Sequence, residues 1–248
     1  MLSKSQISFI KSLHHKKYRK ELGLFLVEGL KSITEFLDSE YTIQSIYCLN
    51  AEIPKLPKIS QKQKVFEISR EELEKISTLQ TPQEALAIVE IPKFDGSVLD
   101  FEKKLTLVLD GIQDPGNLGT IIRTADWFGF TEIVCSNYTV DAYNPKVVQA
   151  TMGSLARVKI VYTDLPAFLK SQKAPKLGTL LNGENIYQAN WPTEGFLILG
   201  SEGNGISNEI IELIDQAITI PGAGNTESLN VAIAAAICCS EIKRNSYK

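Results

Sequence analysis

The C-terminal run Ile218-Thr-Ile-Pro-Gly-Ala-Gly-Asn-Thr-Glu-Ser-Leu-Asn-Val-Ala-Ile-Ala-Ala-Ala-Ile237 constrains the fold more than any other stretch of the chain. Ile218–Ile220 reads as a short apolar strand that ends at Pro221, because proline has no N–H to give a ladder. A loop with Gly222 and Gly224 follows. The alanines then predict a helix over Leu229–Ile237, since alanine is the strongest helix former and lets a helix approach other backbone closely. Asn225, Thr226, Glu227, Ser228 and Asn230 crowd the hand-over from strand to helix. Such a junction presents unpaired backbone N–H groups and small polar side chains together. It suits a bound ligand, and it equally suits a helix cap by Ser228 or Asn225. This stretch alone leaves both open.

Upstream, strands and helices alternate. Ser3–Leu13 has helical apolar spacing in Ile7, Ile10 and Leu13. Strands are predicted at Gly23–Val27, Ile43–Leu49, Lys64–Ile68 and Ala85–Val89, with a helix carrying Ile33, Phe36 and Leu37 after the first. Ser69-Arg-Glu-Glu72 has the form of a capping box and opens a further short helix. The residues Glu90–Lys104, with Pro92 and Gly96, interrupt this pattern. The division implied is a small α/β domain over 1–92, a linker over 93–104 and a second α/β domain over 105–248. In the second domain, the apolar run Leu105–Leu109 reads as a buried parallel strand, and further strands are expected at Thr131–Cys135, Arg157–Val161, Leu177–Leu181 and Phe196–Leu199. Helices are expected at Ile121–Phe128, around Pro145–Gln149, at Leu165–Lys170 and at Asn208–Ile214.

A chain of 248 residues, 44% hydrophobic and 22% charged, describes an ordinary globular protein with a sizeable core. No stretch approaches the roughly eighteen apolar residues of a membrane span, and the N-terminus lacks the apolar centre of an export signal. A cytoplasmic protein is therefore expected. The cysteines Cys48, Cys135, Cys238 and Cys239 have no metal-binding spacing, so no metal is expected and a reducing compartment fits. The two histidines, His14 and His15, have no chemical partner nearby in sequence and read as surface or RNA-facing. Net charge is −3, yet residues 1–20 contain Lys4, Lys11, Lys16, Lys17, Arg19 and Lys20 and no acid. A local basic surface is enough to attract phosphate.

Three glycine-rich loops follow predicted strands: Asp110–Gly119, Gly200–Gly205 and Pro221–Ser228. In open α/β sheets ligands bind beyond the C-terminal ends of strands, so the three could surround one pocket. A dinucleotide fold fails on detail. No G-x-G-x-x-G opens the first strand–helix turn, Gly200-x-x-Gly203-x-Gly205 has the spacing reversed, and no P-loop occurs.

The order and content of these loops carry a specific resemblance. Asp114-Pro-Gly-Asn-Leu-Gly-Thr-Ile-Ile-Arg-Thr-Ala125, Leu199-Gly-Ser-Glu-Gly-Asn-Gly205 and Ile220-Pro-x-x-Gly-x-x-x-Ser-Leu-Asn-Val231 resemble motifs 1, 2 and 3 of the SpoU (TrmH-type) RNA ribose 2′-O-methyltransferases of the SPOUT superfamily. This match spans residues 105–242. Lys11-Ser-Leu-x-x-Lys-Lys-x-Arg19 and Phe25-x-Val-Glu-Gly29 resemble that family's small substrate-binding domain, akin to kink-turn-binding ribosomal proteins. The resemblance implies a parallel sheet with a deep trefoil knot, S-adenosylmethionine bound in the knot, and a homodimer joined through the C-terminal domain.

It also implies roles. Arg123 would act on the 2′-hydroxyl or its phosphate, as anchor and electrostatic support or as the group that takes the proton. Arginine holds its proton tightly, which favours the first. Asn117 would orient the loop or substrate, Glu202 would order the second motif and position Arg123 or substrate, and Ser228 and Asn230 would line the reaction site. Gly200, Ile220 and Leu229, with Leu199, Gly205 and Asn182, would hold the cofactor. Lys11, Lys16, Lys17 and Arg19 would grip RNA phosphates. Trp127 and Phe128 are expected in the core or at the contact between copies. The expected substrate is ribosomal RNA of the 23S type. A tRNA substrate, base methylation, a non-catalytic RNA-binding or ribosome-assembly role and, most distantly, a dinucleotide-dependent oxidoreductase are the alternatives.

Overall fold

A computed structural model describes residues 1–57, 63–92 and 101–246. The fold is α/β, and the described residues form two compact units. The first comprises those of Met1–Lys93 together with Asp141–Arg157; the second comprises those of Phe94–Val140 and Val158–Lys248. Asp141–Arg157, read from sequence as part of a continuous second domain, thus clusters with the first. Residues 93–100 of the expected linker lie outside the described residues.

In the first unit, α1 (Lys4–Ser12) and α2 (Lys16–Leu22) precede β1 (Leu24–Glu28), α3 (Leu30–Leu37), β2 (Ile43–Leu49), β3 (Lys64–Ile68), α4 (Arg70–Ile76) and β4 (Ala85–Glu90). The sheet order is β1-β4-β2-β3, antiparallel except for the β2–β3 pair. Both α1 and α4 open with reciprocal capping boxes, Ser3 with Gln6 and Ser69 with Glu72. One core joins Ile10 and Leu13 from the start of the chain to Leu24, Leu26, Tyr47, Leu73, Ile76 and Leu86. On the other side of β1, Phe25 meets Phe36, Tyr41 and Tyr143 in ring contacts of 4.8–6.0 Å. Tyr143 arrives with the 141–157 segment, whose helix α6 (Pro145–Thr151) packs on β1. Aromatic burial of this kind explains why that segment belongs here.

Arg19 corrects an expectation. It is 2% exposed, and its guanidinium faces inward. Nε and Nη2 donate to Asp141 Oδ2 at 3.1 and 2.7 Å, while Nη1 donates to the carbonyls of Leu13 and His14 at 3.0 and 2.9 Å. Buried, with four of its five N–H donors used internally, Arg19 ties α2 to the 141–157 segment and does not grip phosphate. Lys11, Lys16 and Lys17 are exposed. His14 is half-buried and bonds the Ile76 carbonyl at 3.0 Å.

The second unit runs β5 (Leu105–Asp110), α5 (Pro115–Trp127), β6 (Glu132–Ser136), then β7 (Lys159–Thr163), α7 (Leu165–Ser171), β8 (Lys176–Asn185), β9 (Gly195–Gly200), α8 (Asn208–Ile211), β10 (Gln216–Thr219) and α9 (Val231–Ser246). Its sheet has the order β10-β8-β9-β5-β6-β7, and every paired neighbour runs parallel. All the strand C-termini therefore share one edge. Val108, Val134, Phe196 and Ile198 pack with Leu165 and Leu169 of α7 and Ile210 of α8. The alternate residues Leu107, Leu109, Leu197 and Leu199 are equally buried, which is why these strands read as unbroken apolar runs. Helix α9 packs against α5 and β9.

Candidate active site

The site begins where β5 ends. Asp110, 8% exposed, accepts the Ser207 N–H at 2.8 Å and so ties the end of β5 to the residue that precedes α8, just past the second glycine-rich loop. Four residues further, Asp114 caps α5 by accepting the Asn117 N–H at 2.8 Å, and Pro115 fills the first helical position. Proline there lacks an N–H that would be unpaired anyway, and its φ is already helical. The helix consequently starts at Pro115, six residues before the predicted Ile121. Gly116 and Gly119 made this stretch read as loop, since each disfavours a helix by about 1 kcal/mol relative to alanine; the Asp–Pro start offsets that.

The second loop, Ser201–Gly205, folds back on itself. Ser201 and Gly205 exchange backbone hydrogen bonds at 2.9 and 3.0 Å, and Asn204 N–H donates to Ser201 Oγ at 3.2 Å. A Cβ on Gly200 would lie 2.1 Å from the Gly205 carbonyl carbon, and Gly205 itself has a φ of +67°. Glycine at both positions permits the fold-back, which carries Glu202 out to solvent.

The third segment, Pro221–Asn230, is exposed throughout and has no helix or strand. It ends at Asn230, whose Oδ1 accepts the N–H groups of Ala232 and Ile233 at 2.9 and 3.3 Å. Asn230, and neither Ser228 nor Asn225, is thus the residue that caps α9.

These three pieces meet through one amide. Asn117 Nδ2 donates to Glu202 Oε1 at 2.5 Å, and Asn117 Oδ1 accepts from Asn230 Nδ2 at 3.0 Å. A chain Asn230–Asn117–Glu202 therefore links the three glycine-rich segments on one strand edge. Every group is used in a fixed sense, since each amide donates with nitrogen and accepts with oxygen. Arg123 lies on α5 six residues beyond Asn117, about 9 Å along the helix axis, with an exposed side chain. Gly116, Thr120, Arg123 and Trp127 form one exposed stripe at helical spacing. Trp127 is 84% exposed and so is not core.

Among the described residues, no hydrogen bond joins the side chains of the remaining candidates to this network. Leu199 is buried at the end of β9, Ile220 is half-buried just past β10, and Ser228 and Leu229 are exposed. Asn182 is exposed in β8 where the pairing with β10 jumps: Gly178 pairs Ala217 but Glu184 pairs Ile218. The intervening residues bulge, with Thr219 Oγ1 donating to the Leu181 carbonyl at 3.0 Å. Sequence reading missed Asp110, although its position as the last residue of a buried strand opening a motif was a usable signal.

The sequence profile of the SpoU rRNA Methylase family matches residues 104–240. The chain belongs to this family. Residues 4–87 match the MRM3-like substrate binding domain. The Bacillus subtilis 23S rRNA (guanosine(2553)-2′-O)-methyltransferase RlmP is 34% identical over 92% of this chain and 91% of its own length. Among solved structures, a Porphyromonas gingivalis protein of the TrmH family shares 41% identity with a TM-score of 0.91, covering 99% of both chains. An rRNA methyltransferase of Sinorhizobium meliloti with AdoMet bound shares 28% identity with a TM-score of 0.90, covering 99% of this chain and 97% of the other. The three glycine-rich segments linked by Asn117 all fall inside the matched family region, and the basic start of the chain falls inside the matched substrate-binding domain.

Proposed function

We propose that this protein transfers a methyl group from S-adenosylmethionine to a ribose 2′-hydroxyl of large-subunit ribosomal RNA. The observation that carries the reading is the Asn230–Asn117–Glu202 chain, which links three glycine-rich segments at one strand edge. The segment suits the cofactor: Pro221–Asn230 is open, and nothing stands within 4 Å of a Cβ built on Gly222 or Gly224. The backbones of Gly200, Ile220 and Leu229, with Leu199, Gly205 and Asn182, would hold the adenosyl group. Bound there, the cofactor supplies an electrophilic methyl group.

The chain's own residues handle the other reactant. A ribose hydroxyl is a weak nucleophile at neutral pH and needs orientation and help in shedding its proton. Arg123 anchors the adjoining phosphate and stabilises the developing alkoxide without itself taking a proton, and the hydroxyl proton leaves to solvent water as the methyl group passes from the sulfonium to oxygen. Asn117 and Glu202 set the position of the loops, and Ser228 and Asn230 line the reaction site. Lys11, Lys16 and Lys17 of the substrate-binding domain attract RNA phosphate, and that domain works as a kink-turn-type RNA module.

The same reading includes a deep trefoil knot and a homodimer in the cytoplasm. The knot is supported by the chain's course from β10, at the sheet edge, back to α9 against α5 and β9. The dimer is supported by Trp127 on α5 and Ile233 on α9, 84% and 51% exposed. The test is tritiated methyl transfer from S-adenosylmethionine to unmodified ribosomal RNA and, separately, tRNA. Label in ribosomal RNA is expected. Tight cofactor binding with label only in tRNA would change the substrate, and RNA binding without any cofactor binding would point to a non-catalytic factor.

A further inference from the structure

The strand edge that carries the network holds one more ordered feature, the turn Ser136-Asn-Tyr-Thr139 after β6. It is locked onto the segment that opens the first motif. Ser136 Oγ accepts the Gly111 N–H at 2.9 Å, and Thr139 Oγ1 donates to the Leu109 carbonyl at 3.1 Å. The two hydroxyls lie 3.2 Å apart, so Ser136 completes the set by donating to Thr139. Val140 N–H donates to the Ile112 carbonyl at 2.8 Å, and Thr139 N–H closes the turn onto the Ser136 carbonyl at 3.0 Å. Ser136 and Thr139 are 4% and 2% exposed, whereas Tyr138 between them is 81% exposed and Asn137 is exposed as well.

A ring presented to water from so constrained a turn loses little freedom on meeting a flat partner. Because β6 pairs parallel with β5, the ring stands on the same edge as Asn117. We propose that Tyr138 is a stacking platform for a base of the RNA beside the reacting ribose, a specificity-determining contact that rests on the methyltransferase reading above. Single-stranded bases splay onto aromatic rings, and the neighbouring Asn137 amide offers a donor and an acceptor to a base edge. Among the described residues of this unit, the other strongly exposed rings are placed differently. Trp127 ends α5, about 15 Å along the axis from Asn117. Tyr187 follows β8 on a turn tied to β10 through Ile186 N–H and the Thr219 carbonyl at 2.9 Å.

The experiment compares Tyr138→Ala, Tyr138→Leu, Tyr138→Phe and Tyr138→Trp with the wild type on unmodified ribosomal RNA transcribed in vitro. Alanine and leucine should raise the KM for RNA roughly tenfold, while phenylalanine and tryptophan stay within about twofold. Cofactor affinity and melting temperature should not move. Filter binding of the same RNA without cofactor should show the same ranking. Alanine equal to wild type in KM and RNA affinity would overturn the proposal. So would sedimentation as a smaller species, which would assign the ring to a contact between copies. If the wild type binds this RNA but transfers no methyl group, the binding ranking decides alone. A tenfold loss with alanine rescued by phenylalanine then keeps the platform while the methyltransferase reading falls.

Discussion

Two groups of polar side chains organise this protein, and they stand in opposite relation to water. In the first unit, Arg19 and Glu28 are 2% and 6% exposed and spend their hydrogen bonds internally, Arg19 on Asp141 and two carbonyls, Glu28 on Ser77 and Thr78. In the second, Glu202 and Asn230 are exposed, Asn117 is half-buried, and Asn117 bonds the other two while Asn230 also caps α9. Both clusters hold distant segments together. Only the second leaves its surroundings open to a ligand. Charge in a sequence therefore says little about function until its burial is known: Arg19, in the most basic stretch of the chain, is architecture.

Breaking the buried cluster should have the largest effect. Asp141→Ala leaves the Arg19 guanidinium without its counter-charge and should cost about 3–5 kcal/mol of stability, read from urea denaturation. Arg123→Ala should do the reverse, lowering kcat about a hundredfold or more with no change in the unfolding midpoint. Asn230 separates the two kinds of work at one position. Asn230→Asp keeps an Oδ1 acceptor to cap α9 but has no N–H for Asn117, so stability should hold while methyl transfer falls; Asn230→Ala should lose both, with about 1 kcal/mol from the cap. Replacing Lys11, Lys16 and Lys17 together by alanine should flatten the salt dependence of RNA binding by roughly two to three in the log–log slope. The smallest effect concerns thiols. Burial pushes the Cys238 thiol up to about 12 and Cys48 to about 11, and raises Cys135 and Cys239 as well. Thiolate is then scarce at pH 8, so alkylation should be slow in the folded protein and fast after unfolding.

Much of the fold was legible because buried parallel strands announce themselves. Predicted strand ends at Lys64–Ile68 and Ile43–Leu49 coincide with β3 and β2, and β5, β6 and β9 differ by a residue or so. Helix starts were harder. The glycines hid the first two turns of α5, and Lys16–Leu22, with few apolar residues, gave no periodicity from which to read α2. The residues of the candidate site were legible through their motif resemblance, but their connections were not. Asn117 lies 85 residues from Glu202 and 113 from Asn230, and Arg19 lies 122 from Asp141. Only the folded chain brings such pairs together, and no local pattern records them.

The most direct measurement digests ribosomal RNA after incubation with S-adenosylmethionine and identifies the methylated nucleoside by mass spectrometry, wild type beside Arg123→Ala. The account predicts a nucleoside whose added methyl resides on ribose with the base mass unchanged, absent from the Arg123→Ala sample. A methyl group on the base, or equal ribose methylation by Arg123→Ala, would contradict it.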